Sequence, residues 1–254
     1  MTNATSRPTC LVIIPTYNEA PNIERLVAEV LGQGSHFDLL VVDDRSPDGT
    51  GDLVAALAAD NSRIHLLRRM GKLGLGSAYI AGFRFGLARG YDFLFEMDAD
   101  FSHQPHYLPQ LLAAAEGGAD IVLGSRYVVG GGVRNWSWLR KCISRGGSFY
   151  TRAILRLPVQ DCTGGFKCFH ATVLRHIGLE TIQSNGYGFQ VELTYRCFQA
   201  GYRISEVPII FPDRVAGQSK MSGAIVREAA RVVWQLRRSP NPYKSLQVSP
   251  DRQV

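Results

Sequence analysis

Short apolar runs that end in acid-bearing turns constrain this chain more than any other feature. Phe93 to Met97 runs into Asp98-Ala99-Asp100, Cys10 to Ile14 into Pro15-Thr16-Tyr17-Asn18-Glu19, and Leu39 to Val42 into Asp43-Asp44-Arg45-Ser46-Pro47-Asp48-Gly49-Thr50. Runs such as CLVII and LLVV fit strands buried on both faces of a parallel sheet, not the alternating strands of a sheet with one wet face. A chain that repeatedly delivers carboxylates to the ends of buried strands builds a site for a metal or a nucleotide.

Between the strands the pattern turns helical. Pro21-Asn22-Ile23-Glu24 opens a helix through Leu31, with proline suited to a first turn and Gly32 and Gly34 past the end. Asp52 to Asp60 predicts a second helix, Ile64 to Leu67 a third strand, Gly76 to Arg89 a helix, His106 to Ala115 another, and Ile121 to Leu123 a further strand. This βαβα series predicts a doubly wound, Rossmann-like α/β fold on a mostly parallel sheet, with its ligand at the carboxyl ends of the strands. With 254 residues, 45% hydrophobic and 20% charged, the chain can bury a full core. The expected division is a flexible N-terminus at 1–9, one domain over 10–223, an amphipathic helix at 224–240 and a flexible tail at 241–254.

Several chemistries are disfavoured. The G-x-G-x-x-G of dinucleotide dehydrogenases does not follow the first strand, and in Gly71-Lys72-Leu73-Gly74-Leu75-Gly76-Ser77 the lysine comes too early for a Walker A loop. Cys10, Cys142, Cys162, Cys168 and Cys197 form no C-x-x-C pair, so buried reduced thiols are expected rather than zinc or disulfides. The polar stretch Met1 to Thr9 lacks a signal-peptide core, and no apolar run approaches the roughly 18 residues of a membrane span, which predicts a cytosolic protein.

Asp98 and Asp100 stand two apart, so on extended backbone they can share a face. Two such carboxylates repel unless a cation or proton lies between them, and hard oxygen ligands suit Mg²⁺ or Mn²⁺. The competing reading of an acid after a strand is a helix cap. His103 and His106 are expected to support the motif structurally, not to ligate. Lys72 reads as solvated, Asp161-Cys162-Thr163-Gly164-Gly165-Phe166 as a turn, and Glu192 as either a helix-surface charge or a group touching acceptor or sugar.

The ordered blocks IPTYNE, VVDDRSPDGT, RMGKLGLGSAY, EMDADFSHQP, GSRY, DCTGGFK and Arg214-x-x-x-x-Ser219-Lys220 resemble the family 2, GT-A fold glycosyltransferases, and within them the dolichol- or polyprenol-phosphate mannose synthases. The resemblance spans about Cys10 to Met221. It implies that Pro15, Tyr17 and Glu19 hold base and ribose, that Val42 and Asp44 also reach the nucleoside, and that Asp98, Ala99 and Asp100 hold metal and diphosphate. It further implies that Arg214 and Lys220 contact the donor's phosphates, that Arg126, Arg140 and Ser144 hold a lipid phosphate, and that the DCTGGF turn lies near the sugar. Asp98, Asp100, Arg126 and Arg214 are the implied catalytic set. Ser102 departs from the family, which often has Gln there; a hydroxyl is the shorter and weaker ligand, so water is expected to complete the metal shell.

Charge placement bears on the acceptor. Ile121 to Gln160 contains no Asp or Glu but holds Arg126, Arg134, Arg140, Lys141, Arg145, Arg152 and Arg156, against a net +6 for the whole chain. Trp136, Trp138, Phe149, Tyr150, Ile154 and Leu155 share that segment, so 134–156 reads as a cationic, aromatic, membrane-interfacial stretch. Ile225 to Arg238 repeats the pattern. Nucleic acid is the weaker reading, since no recognition module is visible. The expected reaction passes mannose from GDP-mannose to polyprenyl or dolichyl phosphate with inversion, on the cytosolic face of a membrane. UDP-glucose as donor, or a non-catalytic nucleotide-sugar sensor, are the alternatives. Synthases of this kind either carry C-terminal membrane helices or borrow an anchor, so peripheral binding or a separate membrane subunit is implied.

Overall fold

A computed structural model describes residues 7–213 and 223–243. The described elements are β1 (Cys10–Thr16), α1 (Ala20–Leu31), β2 (Phe37–Asp43), α2 (Thr50–Asp60), β3 (Ile64–Arg68), α3 (Leu75–Ala88), β4 (Phe93–Glu96), α4 (Leu108–Glu116) and β5 (Ile121–Ser125). They continue with β6 (Gly132–Val133), α5 (Trp138–Leu155), β7 (Lys167–His170), α6 (Ala171–His176), α7 (Gly186–Gln199), β8 (Ile204–Pro208), β9 (Ile210–Phe211) and α8 (Gly223–Arg238).

Seven strands form one sheet in the order β3-β2-β1-β4-β7-β5-β8, and β6 pairs with β9 beside it. The pairings are parallel except at β7, which runs antiparallel to both β4 and β5. The continuous apolar strands have the predicted cause: alternate side chains enter two separate cores. Leu11, Ile13, Leu40 and Val42 pack with α3, α6 and α7 on one face, while Val12, Ile14, Leu39 and Val41 pack with α1, α2 and α4 on the other. The fold is thus the expected three-layer α/β arrangement. β7 and β8 were not among the predicted strands, because Lys167 heads the first and Ser205 and Glu206 interrupt the second.

Three expectations change. β4 stops at Glu96, leaving Met97 in the turn. Four cysteines are buried but Cys142 is exposed on α5; burial pushes the Cys162 thiol up to about 12, which keeps it protonated and inert. The tail expected to be flexible from residue 241 is docked at its start, where buried Tyr243 donates its hydroxyl to the Ile177 carbonyl at 2.5 Å.

Helix α3 reaches the sheet through glycine. A Cβ on Gly82 would lie 2.4 Å from Ile13 Cγ2, and one on Gly86 2.4 Å from Leu94 Cδ2. Neither neighbour can retreat within a packed core. Gly146 in α5 is the opposite case, with nothing within 4 Å of its added Cβ. Gly82→Ala should lower the unfolding free energy by about 1–3 kcal/mol in urea denaturation, whereas Gly146→Ala should raise it by up to about 1 kcal/mol. Equal effects would contradict this packing.

Candidate active site

Adjacent parallel strands β2, β1 and β4 end on one edge of the sheet. Just past each end a non-glycine residue adopts the left-handed region: Asn18 (φ 62°), Arg45 (φ 57°) and Phe101 (φ 60°). Such conformations cost of the order of 1 kcal/mol each and persist where surrounding contacts over-determine them. Those contacts are present. The Asn18 amide donates to Ser46 Oγ (3.1 Å), the Glu19 amide to Thr50 Oγ1 (3.0 Å) and the Ala20 amide to Asp48 (3.0 Å). Asp43 accepts from Thr16 Oγ1 at 3.2 Å and from Ser46 Oγ at 2.5 Å. Some burial opposes ionisation of Asp48, but its bonds from Thr50 and Ala20 hold its carboxyl below the usual range.

This web places the residues of the first two blocks. Tyr17 is partly exposed at 39%, with the Lys72 ammonium 4.0 Å above its ring, so Lys72 is engaged by the motif and not merely solvated. Glu19 accepts from Asn22 Nδ2 at 3.0 Å. Val42 lies opposite Pro15 in register and its side chain is in the core, which leaves its backbone as the part able to meet a nucleoside. Asp44 is held by both branches of Arg69, at 2.5 and 2.7 Å, and Arg69 also donates to Ser77 Oγ and the Gly74 carbonyl. Arg69 was not singled out in the sequence; it clamps the glycine-rich loop to the end of β2.

The Asp98-Ala99-Asp100 turn is braced from beneath. The Asp98 amide donates to His103 Nδ1 at 2.9 Å, and the buried His103 ring stacks on Phe166. Burial outweighs the nearby carboxylates and lowers the affinity of His103 for a second proton, so the ring is neutral with Nδ1 as acceptor. The Tyr79 hydroxyl donates to Asp98 Oδ1 at 3.2 Å. Ser102 donates its hydroxyl (2.5 Å) and its amide (3.0 Å) to Asp100 Oδ1, so it orients that carboxylate instead of standing as a separate ligand. Arg25 lies 4.7 Å above the ring of Phe101, steadying the strained residue. Among the described residues no group of three acidic, His or Cys side chains could hold a metal. Two carboxylates, one of them 32% exposed, fit a Mg²⁺- or Mn²⁺-type ion that takes its remaining oxygens from phosphates and water.

A second cluster adjoins the first. Arg126, after β5, forms a buried two-pronged pair with Asp161 at 2.7 Å on each branch, reinforced by its own amide (3.0 Å) and by Thr163 Oγ1 (2.9 Å). Burial alone would raise the Asp161 pKa; the Arg126 guanidinium outweighs it and holds the carboxyl below its ordinary value. Glu206 on β8 fixes the Asp161 loop by accepting from the amides of Gln160 and Asp161. Arg140 stacks 3.9 Å over Trp136 and pairs with Asp213 at 2.5 Å, and Ser144 accepts from the Tyr127 hydroxyl at 2.7 Å. The three residues expected at a lipid phosphate are therefore gathered around Tyr127 and Trp136. Phe211 joins the clusters, since it meets His103 at 5.4 Å, Trp136 at 5.5 Å and the Arg126 guanidinium at 5.3 Å. Arg214 and Lys220 lie outside the described residues. Glu192 is not a helix-surface charge: it is buried, pairs with Arg196 and accepts from the Ser184 amide.

The model of glycosyl transferase family 2 matches residues 11–178. The chain belongs to this family. Polyprenol monophosphomannose synthase of Mycolicibacterium smegmatis is 50% identical over 229 residues, 89% of this chain and 86% of that protein. Undecaprenyl-phosphate mannosyltransferase of Micrococcus luteus is 53% identical over 219 residues, 86% and 90% of the two chains. In fold, the chain is similar to glucosyl-3-phosphoglycerate synthase from Mycobacterium tuberculosis, solved with Mn²⁺, UDP and glucosyl-3-phosphoglycerate, at TM-score 0.67 and 19% identity, covering 93% of this chain and 82% of that one. It is also similar to a mannosyltransferase from Pyrobaculum calidifontis solved with GDP-Man and Mn²⁺, at TM-score 0.58 and 18% identity, covering 96% and 69%. These structures carry the GT-A fold assignment.

Within this family 2 glycosyltransferase, Asp161 belongs to a turn that the resemblance placed near the sugar, but its pairing with Arg126 was not foreseen, although it is the first acid after the acid-free basic segment. Asp161→Asn should cost about 3–5 kcal/mol by leaving the Arg126 charge buried and uncompensated. Because the Asp161 pKa is lowered from its ordinary 3.8, the pair's contribution is complete above that pH and lost as pH falls through the folded value. The stability gap between wild type and Asp161→Asn, measured by denaturant titration, should close in strong acid and stay constant between pH 5 and 8.

Proposed function

We propose that this glycosyltransferase moves mannose from GDP-mannose to a polyprenyl phosphate, giving β-mannosyl phosphoryl polyprenol and GDP with inversion at the anomeric carbon. The observation that carries the reading is the join between the two clusters, where one ring, Phe211, touches both His103 beneath the carboxylate turn and Arg126 of the basic cluster. The names of the two relatives, both above 45% identity over most of the chain, support the acceptor class and the sugar.

The chemistry follows from an acceptor that is already an anion. A phosphate monoester oxygen attacks C1 of the mannose as the bond from C1 to the diphosphate oxygen breaks, its electron pair leaving with GDP; no proton has to be removed. Attack from the side opposite the leaving group inverts the centre. The protein's task is to hold two anions at one carbon. Tyr17, Glu19 and Asp44 would seat the nucleoside, and Arg126, Arg140 and Ser144 the acceptor phosphate. Asp98 and Asp100 would hold Mg²⁺ or Mn²⁺, whose chemistry is to neutralise charge on the leaving diphosphate. Arg214 and Lys220 are assigned to the same diphosphate by resemblance alone.

The acceptor lies in a membrane, and α5 presents Trp138 (78% exposed), Leu139 (63%) and Phe149 (68%) outward together with exposed Lys141, Arg145 and Arg152. No described helix is long and apolar enough to cross a membrane. We therefore assign α5 to peripheral contact with an anionic lipid surface, from the cytosolic side, with a separate membrane subunit as a possible anchor. Nucleic acid is not the assigned partner.

The test is transfer of label from GDP-mannose to a short polyprenyl phosphate, counted in the organic phase, with UDP-glucose in parallel. Label should pass from GDP-mannose, stop with EDTA and return with Mg²⁺ or Mn²⁺; transfer from UDP-glucose alone would reassign the donor. Asp100→Asn should reduce turnover about 100-fold or more, and a fully active variant would sink the proposed role. In liposome flotation, the double change Trp138→Glu and Phe149→Glu should release the protein from anionic vesicles while leaving transfer to a water-soluble short-chain acceptor intact.

A further inference from the structure

Buried polar atoms ordinarily have partners, and an orphaned donor costs on the order of 1–3 kcal/mol. The Trp136 indole Nε1 is such an atom: the residue is 92% buried, and among the described residues Nε1 has no hydrogen-bond acceptor. Trp136 lies between the two arginines of the acceptor cluster, with the Arg140 guanidinium 3.9 Å and the Arg126 guanidinium 5.7 Å from its ring. Its position just ahead of α5 is held by edge-to-face packing on Phe211 at 5.5 Å and 83°. Stacking under a guanidinium and against a phenyl ring needs an aromatic face but no N–H; a phenylalanine ring would offer such a face, if a weaker one, without leaving a donor unpaired. A donor retained without a partner, in a cluster of cations, fits an acceptor that arrives with the ligand.

We propose that the Trp136 indole N–H donates a hydrogen bond to the phosphate of the lipid acceptor, making it a third type of donor beside the two guanidiniums and the serine hydroxyl. This rests on the acceptor reading above and extends it to a residue that reading does not use. An indole is a neutral donor with fixed direction, so it adds orientation to the charge that the arginines supply. Nε1 is sealed in the unliganded chain, so the contact forms as side chains over it part. Arg140 lies across one face of the ring, and its present partner Asp213 is 40% exposed, a pairing that a phosphate can displace.

The measurement is the indole ¹H–¹⁵N spectrum of ¹⁵N-tryptophan-labelled protein, in which Trp136, Trp138 and Trp234 give three cross-peaks, assigned with Trp136→Phe. Titration with a short-chain polyprenyl phosphate, and separately with the matching polyprenol, separates the phosphate from the hydrocarbon. The Trp136 peak should move downfield with the phosphate only and saturate with acceptor binding. Replacing Trp136 by 3-benzothienylalanine, which keeps the ring and substitutes sulfur for N–H, should leave the melting temperature and the GDP-mannose KM unchanged and raise the acceptor KM about tenfold, the effect of one bond to a charged group. An unmoved peak with saturable acceptor binding, or an unchanged acceptor KM in the isosteric variant, overturns the assignment. A loss of stability in that variant overturns it too, by showing that the N–H is satisfied in the free protein, for example against the Phe211 ring. If the wild-type chain binds no polyprenyl phosphate at all, the acceptor reading itself has failed, a result distinguishable from either.

Discussion

Strands buried on both faces leave no room for polar side chains except at their ends, and the chemistry of this molecule is arranged around that restriction. β1, β2 and β4 lie side by side and parallel, so three polar turns meet on one edge with no long-range coincidence required. Even at a strand end, a polar side chain that stays inside the core needs a partner. Glu96, the last residue of β4, is fully buried opposite Lys167 of β7, and burial pushes its carboxyl up to about 7, partly offset by the lysine 3.9 Å away. The lysine in turn donates to the Gln190 carbonyl at 2.9 Å and to its side-chain oxygen, tying α7 to the sheet just below the carboxylate turn. A buried pair of this kind adds little net stability; what it supplies is a fixed position for α7.

The two clusters use opposite electrostatics. On the side proposed for the donor, Asp98 and Asp100 accept from a phenol and a serine hydroxyl, with a neutral histidine beneath the turn, an arrangement suited to a cation. On the side proposed for the acceptor, guanidiniums stand around an indole and two phenyl-type rings, suited to an anion. The segregation exists in the chain itself, since the segment from Ile121 to Gln160 carries cations only. Folding then sets the segment against the carboxylate turn through Phe211, which meets both His103 and Arg126.

Strand ends were legible because burial on both faces writes a continuous apolar run, and the acids that follow it stand out against that run. Asp98 and Asp100 were visible for this reason, as were the basic and aromatic residues of α5. What escaped was pairing across distance. Nothing near Asp44 in sequence announces Arg69, and nothing near Arg126 announces Asp161, because each partner is fixed by strand order and not by spacing. β7 escaped for a related reason: its lysine is tolerated in the core through Gln190 of α7 and Glu96 of β4, partners distant in sequence. The backbone strain at Asn18, Arg45 and Phe101 has no residue signature at all, since none is glycine.

The partners of the two arginines proposed to meet the acceptor separate their roles. Arg126 is clamped by three bonds to the wholly buried Asp161 carboxylate, whose loop Glu206 fixes by accepting from the Gln160 and Asp161 amides. The pair is neutral overall, so Arg126 contributes to an acceptor site as a rigid template, its charge already largely compensated. Arg140 is 19% exposed and its partner Asp213 is 40% exposed; a contact of that sort is worth little in water and exchanges readily for a stronger anion. In the proposed acceptor site Arg140 is therefore the charge free to exchange its partner for an incoming phosphate. This division suits a nucleophile that arrives ionised. His103, the buried imidazole beside the carboxylates, is already spent as the acceptor of a backbone N–H, and a reaction that needs no base loses nothing by spending it there.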